Sequence, residues 1–250
     1  MMWSYAAYSD IGTRTENEDD YCITDKENRL CVTLADGLGG HGGGRTAAQT
    51  VVRKISGAFT ESCESGAGDA EQHKEEMIRA IHMANTAVVE LQTPQCRLQA
   101  TCVSLWLEDT DTGCDAVWAH VGDSRLYCFV DGKLVLKSKD HSLKELWKDD
   151  PVKKHIDVMR NIVWQAVGEE AGVKPDVCGP VRLNGKRTAF LICSDGVWEY
   201  ISDRKLASTL RRSKTPEQWL EKLRELVQKR SGESLDNNTA AAVFIDQNGD

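Results

Sequence analysis

Residues 116–136 read AVWAHVGDSRLYCFVDGKLVL, three apolar, β-prone runs separated by Gly122-Asp123-Ser124 and Asp131-Gly132. Both breaks hold residues that favour tight turns, and they are too short to contain crossover helices. The stretch therefore predicts an antiparallel meander. Similar runs at 30–35, 101–107, 189–193 and 240–245 extend it into sheets. Three helical patterns accompany the strands. Residues 45–59 place Ala48, Val51, Val52, Ile55 and Phe59 on one face, and residues 71–92 do the same with Met77, Ile81, Ala84, Val88 and Leu91. A third helix starts at Thr215, where Thr-Pro-Glu-Gln offers an N-cap, a proline at the first helical position and a capping-box Gln218. Helices packed on antiparallel sheets, an α+β architecture, is the expectation.

With 250 residues, 40% of them hydrophobic, the chain can bury a sizeable core. Its only Gly/Ser/Asp-rich breaks, at 62–69 and 183–186, are short, so residues 1–250 read as one domain. A net charge of −8 offers no attraction to nucleic acid or anionic lipid. No apolar stretch approaches the roughly 20 residues that span a bilayer, and the N-terminus lacks a basic region followed by an apolar one. The nine cysteines are odd in number, form no CxxC pair and mostly sit in apolar runs, as reduced buried thiols do. The expected home is the cytoplasm.

The aspartates fall at the ends of these runs. Asp36-Gly37 closes one, Gly122-Asp123 a second and Ser194-Asp195-Gly196 a third; Asp236 stands just before the last, and Glu18-Asp19 just before Tyr21-Cys22-Ile23. Singly, each reads as a turn residue. If the strand ends converge, the carboxylates repel one another unless cations lie between them, and ligands that are all oxygen favour hard ions such as Mg²⁺ or Mn²⁺. Zinc is disfavoured because the six histidines are dispersed. The glycine run 37–44 leads into a helix without the Gly-Lys-Ser/Thr ending of a P-loop, and matches a dinucleotide fingerprint only loosely. Its better use is close backbone approach to a metal site, with His41 left projecting.

In order along the chain, Arg14-Thr15-Glu16-Asn17-Glu18-Asp19, Ala35-Asp36-Gly37-Leu38-Gly39-Gly40-His41, Ala119-His120-Val121-Gly122-Asp123-Ser124-Arg125, Asp140-His141-Ser142, Cys193-Ser194-Asp195-Gly196 and Asp236-Asn237-Asn238-Thr239 resemble the metal-dependent PP2C (PPM) protein phosphatases. The likeness spans nearly the whole chain and is nearest to compact bacterial single-domain members. It implies a β-sandwich of two antiparallel sheets flanked by α-helices. It also implies two tightly bound Mn²⁺ or Mg²⁺ ions and a weaker third. By that resemblance Asp36 bridges the two ions, the Gly37 carbonyl with Glu18 and Asp19 serves one side, and Asp195 and Asp236 serve the other. Asp123 with Asp195 forms the third site, Arg14 holds the substrate phosphate and His41 acts as general acid. The implied reaction is hydrolysis of phosphoserine and phosphothreonine on proteins by a metal-bridged water, without a phosphoenzyme. The implied partners are phosphorylated proteins and a cognate Ser/Thr kinase, with the phosphatase itself a monomer.

Residues 143–167 occupy the place of the family's flap, and Lys144, Lys148, Lys153, Lys154 and Arg160 give it a basic character suited to an acidic phosphopeptide. His120 reads as a strand residue, and His141 as a residue that orders a turn. The sequence departs from the family at Arg45, where a glutamate is usual, and at Ala100-Thr101-Cys102, where Gly-Thr-Thr is usual. It departs again at Val163-Trp164-Gln165-Ala166-Val167-Gly168, where the flap closes with Ile-Thr-x-Ala-x-Gly. None of these is a metal ligand. Two rival readings, a phosphoprotein-binding pseudophosphatase and a purely structural cation-binding module, fit less well. The first should have lost ligands, and the second leaves Arg14 and His41 without purpose.

Overall fold

A computed structural model describes residues 2–39, 43–66, 69–111, 113–150 and 162–246. The chain runs through β1 (Met2–Asp10), β2 (Asp19–Lys26), β3 (Arg29–Leu38), α1 (Gly43–Ser65), α2 (Ala70–Leu91), β4 (Gln99–Ala100), β5 (Cys102–Thr110) and β6 (Gly113–Val121). It continues through β7 (Arg125–Val130), β8 (Lys133–Lys137), α3 (Leu143–Trp147), β9 (Asp176–Arg182), β10 (Arg187–Cys193), α4 (Asp195–Trp198), α5 (Asp203–Leu210), α6 (Pro216–Arg230) and β11 (Asn238–Asp246).

The strands form two antiparallel sheets, β1-β11-β10-β7-β8 and β2-β3-β5-β6-β9, with β4 paired to the end of β3. Period-two alternation decides which residues lie between them. Leu30, Val32 and Leu34 of β3 meet Leu126, Phe190, Ile192 and Val243 in the interior of the sandwich. The alternate residues Cys31 and Ala35 turn outward beneath Val51, Ile55 and Phe59 of α1 and Met77, Ile81 and Ala84 of α2. On the far side, Tyr127, Phe129, Leu191 and Phe244 pack against Leu206 of α5 and Trp219, Leu223 and Val227 of α6. Central strands apolar on both faces read as unbroken hydrophobic runs for this reason. The layers are helices, sheet, sheet, helices, the expected sandwich.

The expected meander needs correction. β7 and β8 do form a hairpin across Asp131-Gly132, but β6 and β7 lie in different sheets, and Gly122-Asp123-Ser124 carries the chain from one to the other. Gly122 adopts φ +97° and a Cβ there would lie 2.7 Å from the Thr101 side chain, so this is a tight crossing rather than a hairpin turn. Two smaller details also differ. Leu91 is exposed at the end of α2. Thr215 does cap α6, accepting from Gln218 N, but the Gln218 side chain accepts from Lys214 N instead of closing a capping box.

No helix among the described residues is long and apolar enough to cross a membrane.

Candidate metal centre

Strand register brings the acids together. Asp19 opens β2 directly opposite Asp36 near the end of β3, and Gly37 N donates to Glu18 O at 3.1 Å. In the other sheet β10 ends at Cys193 beside Ala240, so Ser194-Asp195 leaves one strand where Asp236-Asn237 enters its neighbour. The β6–β7 crossing supplies Asp123 at the same end, next to Cys193 through the Cys193–Arg125 pairing.

Hydroxyl and amide side chains stitch these ends to one another. Ser194 Oγ donates to Asp19 Oδ2 at 2.8 Å and accepts from Thr239 N at 3.0 Å, which ties the two sheets together at the site. Asn237 Oδ1 accepts from Glu18 N at 2.9 Å while its amide donates to Ile11 O and Glu16 O. Thr101 Oγ1 accepts from Asp36 N at 3.0 Å and shares a 2.7 Å bond with Ser124 Oγ. Close backbone approach requires two glycines. A Cβ on Gly37 would lie 2.3 Å from the Gly44 carbonyl, and one on Gly44 would lie 2.7 Å from Glu18 Oε1. The glycine run thus lets the start of α1 press against the end of β3.

The electrostatics are those of an anionic cage. Removal from water raises the Asp36 carboxyl well above the usual range, and the charges of Asp19, Asp195, Asp123 and Asp236 raise it further. Asp195 is raised in the same way by desolvation, then by Asp123 and Asp236. Burial pushes Asp19 up to about 6 against the opposing hydrogen bonds from Thr239 and Ser194, and pushes Asp123 up to about 6 with help from Asp140. Glu18 is raised by burial and by Glu16. Glu18 Oε1 and Asp19 Oδ1 are buried with no hydrogen-bond partner among the described residues. Five carboxylates that oppose one another's ionisation, two of them with orphaned oxygens, form an all-oxygen donor set suited to hard divalent cations.

Of the residues expected from sequence, Glu18, Asp19, Asp36, Gly37, Asp123, Asp195 and Asp236 converge. Arg14 stands at the rim, its guanidinium donating to Asp236 at 2.6 Å. His41 lies outside the described residues, as do 151–161 of the flap segment. Of the departures, Arg45 reaches Glu16 at 3.4 Å, Ala100 pairs with Val167, and Trp164 packs against His141 with ring centroids 5.0 Å apart and planes tilted by 40°. The histidines at 120 and 141 face a different acid, Asp176: His141 Nε2 lies 3.4 Å from Asp176 Oδ2, and ligand atoms of the three residues lie within 4.8 Å of one another. His141 Nδ1 accepts from Gly122 N and Gln165 Nε2, and its ring stacks on that of His120. Sequence reading missed the supporting residues Ser194, Thr239, Asn237, Thr101 and Ser124. It also missed Trp198, whose indole donates to Asp123 O at 3.0 Å while Arg125 lies over its ring and forks onto Asp140. The signal for all but Thr101 was adjacency to the acidic motifs; Thr101 stood only in the Ala100-Thr101-Cys102 strand start.

The family model described as protein phosphatase 2C matches residues 8–239. The chain belongs to the protein phosphatase 2C family. A Streptococcus pyogenes chain named for the 2C phosphatase type is 28% identical over 243 residues, 94% of both chains. The serine/threonine protein phosphatase PstP of Mycobacterium tuberculosis is 30% identical over 216 residues, 84% of this chain but 39% of PstP. Among solved structures, the S. agalactiae serine/threonine phosphatase superposes with a TM-score of 0.84 at 25% identity, covering 98% of this chain and 100% of that one. The S. agalactiae phosphatase shares the sandwich whose strand ends gather the acids here.

Proposed function

We propose that this chain is a single catalytic domain over residues 1–250 that hydrolyses phosphoserine and phosphothreonine on proteins with Mn²⁺ or Mg²⁺. The observation that carries the reading is the anionic cage, in which mutually repelling carboxylates with orphaned oxygens share one end of the sandwich. Family membership and relatives named as serine/threonine phosphatases support the substrate class.

Asp36 would lie between two cations, with Glu18, Asp19 and the Gly37 carbonyl on one side and Asp195 and Asp236 on the other. Asp123 with Asp195 would hold a weaker third. Bound divalent cations supply Lewis acidity, acidifying water toward neutral pH and polarising phosphoryl oxygens. The protein's own part is positional. Ser194 and Thr239 fix Asp19, Thr101 holds the Asp36 backbone, and Trp198 with Arg125 holds the Asp123 turn. Arg14 presents a planar fork matched to phosphate oxygens. His41, within the glycine run 37–44, donates the proton that the departing serine or threonine oxygen needs. The working setting is a cytoplasmic monomer acting on phosphoproteins opposite a cognate Ser/Thr kinase.

The test is hydrolysis of a phosphothreonine peptide with and without metal. Activity is expected with Mn²⁺ or Mg²⁺ and none after exhaustive EDTA; activity that survives chelation overturns the reading. Asp36→Asn and Asp236→Asn should each cost on the order of 10³ or more in kcat with loss of bound metal. Near-normal rates with unchanged metal content would remove these ligands.

A further inference from the structure

His120 of β6, His141 ahead of α3 and Asp176 of β9 form a constellation apart from the acidic centre, and both imidazoles are buried. The spacing of their ligand atoms is that of a metal site, but the hydrogen bonds oppose that use. His141 Nδ1 faces two groups that can only donate, Gly122 N at 3.2 Å and the Gln165 amide nitrogen at 2.9 Å. The orientation of that amide is fixed in turn, because Lys174 N donates to Gln165 Oε1 and Gln165 Nε2 donates to Lys174 O. Nδ1 therefore presents its lone pair, and the ring proton sits on Nε2, which faces Asp176. A cation at Nε2 would meet an N–H where it needs a lone pair. His120 Nε2 is also engaged, 2.6 Å from Lys139 O.

These bonds lead instead to the sheet-to-sheet crossing. His141 N donates to Gly122 O at 2.9 Å while the ring accepts from Gly122 N, so one residue grips both polar groups of that glycine. Gly122 runs directly into Asp123, whose own carbonyl accepts from the Trp198 indole. The His141 ring is held between that of His120, with centroids 4.8 Å apart, and that of Trp164. Gly122 and His141 are both buried, so solvent does not stand in for a lost acceptor.

We infer that His141 is a positioning residue for the cation site at Asp123, with its Nδ1 lone pair, directed by Gln165, fixing the Gly122 peptide and so the aim of the next carboxylate. The inference rests on the reading of Asp123 as a cation ligand. Without the acceptor, the Gly122 N–H is buried and unpaired, and the strain is relieved by moving the turn that carries Asp123.

The experiment is calorimetric titration of the full, chelated chain with Mn²⁺, using two substitutions that divide the properties of the imidazole. His141→Asn places an amide oxygen near the position of Nδ1 and gives up the ring. His141→Phe keeps a ring against His120 and Trp164 and gives up the acceptor. His141→Phe should weaken the loosest Mn²⁺ phase about ten- to a hundredfold with the tighter phases unchanged, whereas His141→Asn should stay within about threefold of wild type. The reverse order, expected of a ring that only packs, overturns the inference, as does an unchanged loose phase in His141→Phe. Gln165→Met leaves the imidazole in place and removes the donor that directs it. That variant should weaken the same phase severalfold, and it carries the test if His141→Phe does not fold; no shift there overturns the inference. Asp123→Ala keeps two failures apart. If it leaves the loose phase intact, the ligand reading of Asp123 falls; if it abolishes the phase while His141→Phe does not alter it, His141 alone is removed.

Discussion

Arg14 and Asp236 lie 222 positions apart in sequence, yet the guanidinium Nη2 sits 2.6 Å from the carboxylate Oδ2. The approach is built into the fold. Thr13 N donates to Leu235 O and Leu235 N donates to Thr13 Oγ1, so the turn after β1 is sewn to the segment that leads into β11. The pair is exposed on both sides, which makes it a weak contributor to stability. Its meaning is placement, because it fixes a planar fork with further N–H donors at the rim of an acidic centre.

Arg14→Ala should therefore spare the fold and damage phosphate binding. A charged hydrogen-bonding fork is worth roughly 1.5–3 kcal/mol, so kcat/KM on a phosphopeptide should fall about ten- to a hundredfold, mostly through KM, while Tm barely moves. Steady-state kinetics and thermal melts check it, and an unchanged kcat/KM would remove Arg14 from the binding site.

Asp123 hangs on the sheet-to-sheet crossing, held through its carbonyl by Trp198, and touches the cage from outside the Asp19–Asp36 pairing. Asp123→Ala should keep the fold and two tight metal sites yet lose activity on phosphopeptides. Titration calorimetry that finds all metal binding abolished, or kinetics that find no loss, would count against a separate weaker ion.

Much of this fold is legible in the sequence alone. The runs at 30–35 and 240–245 are apolar on both faces because helices cover one side of each sheet and the partner sheet covers the other. The site acids were legible because carboxylates at several strand ends need a common reason. Other elements gave weaker signals. β1 is an edge strand of half-exposed residues, paired on one side only with β11, and Ser4, Tyr5 and Tyr8 break its apolar pattern. β9 carries Gly179-Pro180, which sequence reads as a break, and the strand tolerates them at a register irregularity on the sheet edge. The β6–β7 crossing was misread because Gly-Asp-Ser suits a hairpin equally well, and only the approach of Thr101 to Gly122 separates the two. Ser194, Thr239 and Asn237 stayed hidden because a serine, threonine or asparagine near a turn is ordinary until its partner across the sheet is known.

The metal-free protein should show an inverted dependence of stability on pH. Asp19 and Asp123 titrate at about 6 in the folded chain, above the roughly 3.9 of an unfolded aspartate. Between those values the folded state binds more protons than the unfolded one, so stability falls as pH rises from about 4 through about 6, and Asp36 and Asp195, whose carboxyls burial and neighbouring acids raise well above the usual range, carry the loss further. Chelated protein should lose Tm across that interval. Saturating Mn²⁺ should reverse the slope, since cations replace the protons and bind better as the carboxylates ionise. Melts in EDTA whose Tm climbs steadily with pH would contradict the cage electrostatics.

Substitution of His41, which stands within the glycine run 37–44, separates chemistry from scaffolding. A serine or threonine alkoxide is a poor leaving group and needs a proton as the ester bond breaks, whereas p-nitrophenolate is stable near neutral pH. A positioned general acid is typically worth roughly 10² to 10⁴, and only on the first kind of substrate. His41→Ala should accordingly depress kcat on phosphopeptides far more than on p-nitrophenyl phosphate. If His41 merely props the loop and the Gly37 carbonyl, both substrates lose equally and metal affinity weakens with them. Measuring kcat for both at saturating Mn²⁺, beside a metal titration, decides between the two roles, and equal fractional losses would strike His41 from the catalytic residues.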